Sequence, residues 1–169
     1  MHLLFALYAV KVKVILGSNQ MEIEIINKPF ELDVYGFSGI ATQKNYAGMA
    51  FSLSDKMWKI VKASNLKNEG KNIWVYESGD SVFAGVQLLE ALPLDVSLEL
   101  KKIRISQYAY YKHIGPYNLI QNAGHSLHTE IKSKGLVPGM PYIEIYGHWT
   151  NDEHKLETEL LVAFESRKP

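Results

Sequence analysis

The same order of elements is written twice along this chain, and that duplication constrains the fold more than any other feature. Residues 30–42 read as a strand carrying Val34, Tyr35, Phe37 and Ile40, and Gln43-Lys44-Asn45 breaks it. Ala50, Leu53, Met57, Ile60 and Val61 then recur at helical spacing over residues 47–63. After the polar stretch 67–72, residues 73–77 and 82–89 are two short β runs joined by the turn Ser78-Gly79-Asp80-Ser81. The second half repeats the order. Residues 103–114 predict one tyrosine-rich strand, and Gly115-Pro116 ends it. A helix follows to about Lys134, with Leu119, Ile120, Ala123, Leu127 and Ile131 on one stripe and Gly135 where a left-handed cap belongs. Residues 142–146 and 157–164 form a second hairpin.

Two βαββ units in tandem, about residues 21–90 and 100–169, predict an α+β protein. Its curved antiparallel sheet carries two covering helices, and its pseudo-twofold symmetry leaves a central pocket where the halves meet. A chain of 169 residues suits one such domain, residues 21–169, with no room for a helix-turn-helix unit. The apolar run 3–10 is too short to span a bilayer and lacks the flanks of a signal peptide. Residues 1–20 read either as an arm or extra strand, or as sequence upstream of a start at Met21.

Charge limits the partners. Lysine plus arginine equals aspartate plus glutamate, 18 against 18, so the basic excess that supplies phosphate-backbone affinity is missing and direct DNA binding is not expected. No membrane association is expected either. The absence of cysteine excludes disulfides, thiolate metal sites and a cysteine nucleophile, and fits a cytoplasmic location. Nucleophile-elbow, phosphate-loop and dinucleotide fingerprints are absent, and no cofactor is expected. His125 and His128 share a helix face at a spacing of three, but no further ligand recurs at a matching offset, so no metal is expected.

The chemistry concentrates in Tyr142-Ile143-Glu144-Ile145-Tyr146. Strand alternation gives the isoleucines one face and displays a carboxylate between two phenols on the other. That second face is either a solvated surface or the wall of a pocket. On the neighbouring strand Glu157, Glu159, Leu161 and Ala163 share a face, and in a hairpin Glu159 is expected to approach Glu144. Two acids enclosed by rings require a compensating cation, proton or hydrogen bonds. A hydrophobic cation supplies the charge and meets aromatic faces for roughly 0.5–2 kcal/mol per contact. Tyr110 is expected to line the same cavity, while Trp74, Tyr76 and Trp149 serve as ring walls or as core and hairpin packing.

Tyr108-Ala-Tyr-Tyr-Lys-His-Ile-Gly-Pro-Tyr117 resembles the segment that opens the second half of GyrI-like domains, the effector-binding modules of AraC-type and multidrug-sensing regulators. Gly135-Leu-Val-Pro-Gly139 resembles that family's G-L-x-P-G turn, Tyr142–Tyr146 its E-x-Y strand, and 158–164 its closing T-E strand, with Ala163 where proline is common. The resemblance covers about 60 residues in order, and the first half shares only the element order. It implies the duplicated fold and a pocket for amphipathic, often cationic, aromatic compounds. The recognising acids it implies are Glu144 and Glu159; Tyr146, Tyr110, Tyr142, Trp149, Tyr76 and Trp74 are the candidate ring walls that the strand reading sets around them. The expected function is binding of such compounds as a stand-alone sensor or sequestering module. Two alternatives stay open: a protein-interaction inhibitor like the family's gyrase inhibitor, and a small hydrolase using a pocket glutamate as general base.

Overall fold

The computed structural model describes residues 21–166, so the apolar run 3–10 and the candidate arm before Met21 lie outside the described residues. Within them the chain runs β1 (Glu24–Ile26), β2 (Phe30–Ile40), α1 (Tyr46–Ala63), β3 (Asn72–Glu77), β4 (Ser81–Val86), β5 (Glu99–Ile105), β6 (Tyr108–Ile114), α2 (Ile120–Ser133), β7 (Leu136–Tyr146) and β8 (Glu157–Ser166). The strands form one antiparallel sheet in the order β1-β6-β8-β7-β3-β4-β2-β5. The predicted strand over residues 103–114 is thereby corrected. It is two strands, broken at Ser106-Gln107, and the break lets β5 pair with β2 of the first half while β6 pairs with β8 of the second. The first half has the same device: β1 pairs with β6, and β2, after Asn27-Lys28-Pro29, pairs with β4 and β5.

That strand order reads the same from either end when each strand is exchanged for its counterpart in the other half, so a pseudo-twofold axis passes between β3 and β7. The side chains obey it. Ala50, Leu53, Ser54, Met57 and Val61, buried on α1, correspond to Ile120, Ala123, Gly124, Leu127 and Ile131 on α2, at a constant offset of 70. The helix ends match too: Asn65 (φ 49°) and Gly135 (φ 76°) are left-handed at equivalent positions, and Gly135 is the cap expected there. Within the β3–β7 ladder Trp74 faces Glu144, and the same offset makes these two residues counterparts.

The connections force the sheet to curl. β1 and β2 stand six strand spacings apart, ~29 Å if the sheet were flat. The span from Ile26 to Phe30 reaches at most ~14 Å. The link from Ile105 to Tyr108 at the other end reaches only ~11 Å. The sheet therefore closes towards itself on the face without helices. Phe30 of β2 meets Tyr108 of β6 edge-on at 5.7 Å, and Val34 and Phe83 from the first half join Ile103, Ile143, Ile145 and Leu161 from the second in one buried cluster. On the outer face α1 packs on β4 and β2 and also reaches β3, α2 packs on β7, β6 and β8, and each helix has its own core. The seam between β3 and β7 runs between them.

Gly36 marks how tight the curl is, because a Cβ there would sit 1.9 Å from the Ala84 carbonyl oxygen, a backbone atom that cannot yield. Gly36→Ala is expected to destabilise the protein by about 3 kcal/mol or more, read as a lowered urea midpoint at unchanged slope.

Candidate functional site

Because Ile73, Val75, Ile143 and Ile145 fill the inner core, strand alternation turns Trp74, Tyr76, Tyr142, Glu144 and Tyr146 to the outer face, into the strip between the helices. There the rings line up in two files that run from α1 to α2. In one, Phe51 meets Trp74 at 4.9 Å, Trp74 meets Tyr146 at 4.6 Å, and Tyr146 meets Tyr117 at 5.4 Å. In the other, Tyr46 meets Tyr76 at 6.2 Å, Tyr76 stacks on Tyr142 at 5.5 Å, and Tyr142 meets His128 at 5.8 Å. The walls are fixed from behind. Trp74 donates its indole N–H to Ser54 Oγ at 2.7 Å, and His128 donates Nδ1–H to the Gly124 carbonyl at 2.8 Å. Gly124 leaves room for Tyr142, whose hydroxyl would lie 2.8 Å from a Cβ there.

Glu144 lies between the files, only 6% exposed. Tyr146 donates to its Oε2 at 2.7 Å and Tyr76 at 3.1 Å, and Tyr142 also hydrogen-bonds the carboxylate. Among the described residues no lysine, arginine or histidine lies within ion-pairing distance of it. Burial pushes the Glu144 carboxyl above the ordinary range, and the hydrogen bonds from Tyr146, Tyr142 and Tyr76 only partly oppose that. The three phenols are pushed up in turn, by burial first and by the charge of Glu144 second, so they stay protonated and remain donors.

The structure brings together five of the eight residues singled out from sequence, and three corrections follow. Register sets Glu144 opposite Leu160 and Glu159 opposite Ile145, so the two acids sit on opposite faces of the sheet and do not approach each other. The long connection between β7 and β8 left that register undefined in the sequence. Tyr110, paired with Leu161, is also on the inner face, where it hydrogen-bonds Glu159. Trp149 is neither core nor wall: it stands 73% exposed in the connection after β7. Conversely, Phe51, Tyr46, Tyr117 and Ser54 belong to the site and had not been marked. Phe51 did carry a signal, as a large apolar side chain off the buried stripe of α1; it is 65% exposed beside Trp74. His125 is exposed and His128 is held by Gly124 and Tyr142. Among the described residues no group of three histidine, aspartate or glutamate side chains is placed to hold a metal ion, and no helix is long and apolar enough to cross a membrane.

A carboxyl whose pKa is raised on folding weakens the fold as pH climbs from the unfolded value through the folded one, and the full cost persists above both. Glu144→Gln is therefore expected to raise the melting temperature by about 2–4 °C at pH 7.5. The gain should fade as pH falls towards about 4, measured by calorimetry across that range.

No family model and no curated protein sequence matches this chain. Solved structures do. It superposes on EcmrR in its DNA complex within EcmrR-RPo with a TM-score of 0.64 at 16% identity, over 86% of this chain and 58% of that one. It superposes on the separate EcmrR C-terminal domain with a TM-score of 0.62 at 16% identity, over 86% and 98%. SAV2435 bound to tetraphenylphosphonium gives 0.58 at 15% identity, over 86% and 94%. The chain thus spans little more than half of the EcmrR chain seen with DNA but nearly all of its C-terminal domain.

Proposed function

We propose that this chain, which has the GyrI-like fold its second half resembles in sequence, binds one amphipathic aromatic cation against Glu144. The observation that carries the reading is the buried carboxylate itself. It is walled by rings, bonded only through neutral phenols, and lacks a cationic neighbour among the described residues. Such a group is held at a cost that a hydrophobic cation would offset, because the guest brings the missing charge without bringing water. The same guest gains on the ring faces of Trp74 and Tyr146, roughly 0.5–2 kcal/mol for each cation–π contact. Phe51 and Tyr117, at the solvent ends of one ring file, stand where a flat molecule would part the rings. That SAV2435 has been solved with tetraphenylphosphonium supports a cation of this class. The match to the C-terminal domain of EcmrR, a protein solved on DNA, favours a sensing role in which ligand binding is the chain's contribution.

Tetraphenylphosphonium is expected to quench the tryptophan fluorescence through Trp74. Glu144→Gln should weaken that binding about 10–100-fold, since 1.4 kcal/mol is worth a factor of ten. Glu159→Gln, on the opposite face, should leave it within two-fold. A neutral compound of similar shape, triphenylphosphine oxide, should bind poorly to both. In the unaltered protein, affinity for the cation should fall as pH drops through the raised pKa of Glu144, because protonation removes the charge that the ligand pairs with. Equal affinities in the two glutamine variants would exclude Glu144 as the recognising group.

A further inference from the structure

Thr158 is completely buried, and its hydroxyl is the one buried side-chain polar atom among the described residues with no hydrogen-bond partner in the protein. Its place in the repeat makes this informative. Thr158 lies on β8 directly between Tyr146 of β7 and His113 of β6. In the first half the counterpart of Tyr146 is Tyr76, and the residue beside Tyr76 is Val82, equally buried, which is flanked on its other side by Gly39. Valine and threonine have nearly the same shape, so packing at this position does not call for a hydroxyl, and a buried hydroxyl without a partner costs about 1–3 kcal/mol. The second half thus replaces Val82 and Gly39 by two buried polar side chains, Thr158 and His113. It does so beside Tyr146, which bonds Glu144.

The start of α2, whose leading turn lays Tyr117 on Tyr146 next to Thr158, is also the less firmly held of the two helix starts. α1 starts with a capping bond from Gly48 N–H to Asn45 Oδ1 at 3.1 Å, and Tyr46 at its first position is tied to Asp80 at 2.5 Å. α2 starts without a side-chain cap. It is preceded by the short 3₁₀ turn Tyr117–Leu119, which follows Gly115 at φ 138°. Tyr117, 39% exposed, rests on the Tyr146 ring without a tether of the kind that holds Tyr46. His113 anchors the turn by donating Nε2–H to the Pro116 carbonyl at 3.2 Å.

We propose that Thr158 is a hydrogen-bonding contact of the ligand site, reached when Tyr117 turns aside, and that it selects cations carrying a polar substituent over purely hydrocarbon ones. The inference rests on the ligand site proposed at Glu144 and adds to it a second, uncharged point of recognition. The hydroxyl can donate or accept, so an aromatic amine or a carbonyl on the ligand would satisfy it.

Two probes separate the possibilities: tetraphenylphosphonium, which has no hydrogen-bonding group, and ethidium, a flat cation with two aromatic amines. Each is titrated against the full chain and against Thr158→Val and Thr158→Ala. Valine already fills the equivalent position, so the first variant is expected to fold and to melt about 2–4 °C higher. Ethidium should bind both variants about 5–20-fold more weakly, while tetraphenylphosphonium stays within two-fold and reports that the site is intact. Thr158→Ser, which keeps the hydroxyl, should retain ethidium affinity. Unchanged ethidium binding in the valine and alanine variants, or equal loss of both probes, overturns the role of Thr158. Failure of the unaltered protein to bind either probe instead removes the site at Glu144 on which the inference stands.

Discussion

Two very short links govern this molecule. Asn27-Lys28-Pro29 and Ser106-Gln107 each join strands that lie six positions apart in one sheet, and neither can reach unless the sheet curls. Curling closes the inner face into a core of Val34, Phe83, Ile103, Ile143, Ile145 and Leu161. It also exchanges β1 and β5 between the halves, so that neither repeat has a complete sheet alone. The two helices are thereby left on the outer face, each over its own strands, with the seam between β3 and β7 lying between them. The site is a consequence of that geometry: it lies on the outer face along the β3–β7 seam, between the two helices.

Duplication explains how a costly group can be tolerated there. The axis makes Trp74 and Glu144 counterparts, and it places Tyr76 and Tyr146 symmetrically around them. Both phenols reach the single carboxylate, so a symmetric pair of donors serves an asymmetric acceptor. The remaining half of the pair, Trp74, supplies an apolar wall steadied by Ser54. One half of the repeat thus carries charge and the other carries ring surface, which suits a guest with one cationic end and one aromatic end. Thr158 and His113 extend the same division of labour, since polar groups accumulate in the second half where the first has Val82 and Gly39.

Stability and binding pull against each other at Glu144. Burial raises its pKa, which means that the ionised form is held at the expense of the fold. Sites that trade stability for recognition in this way are expected where the partner completes the electrostatics. The inner-face acid Glu159 is half-buried beside Tyr110 and Lys112, and it belongs to the opposite side of the sheet.

Much of this was legible in the residues. Periodicity located both helices, the Gly135 cap and most of the buried stripes, because a helix face is a local property of spacing; Leu119, expected on the second stripe, lies instead in the turn before α2 and is 45% exposed. Alternation in Tyr142–Tyr146 correctly divided the isoleucines from the Tyr–Glu–Tyr face, because a strand has a period of two wherever it lies. The duplication itself, and with it the α+β class, also followed from order alone. Pairing partners and register did not. Whether Glu159 meets Glu144 depends on a one-residue choice in how β8 lies against β7, and a single slip moves every side chain to the other face. The break at Ser106-Gln107, the exposure of Trp149 and the arrival of Phe51 and Tyr117 beside Trp74 and Tyr146 were decided by the curl of the whole sheet. Spacing along the chain determines which side chains share a face; only the closed tertiary structure determines which faces meet.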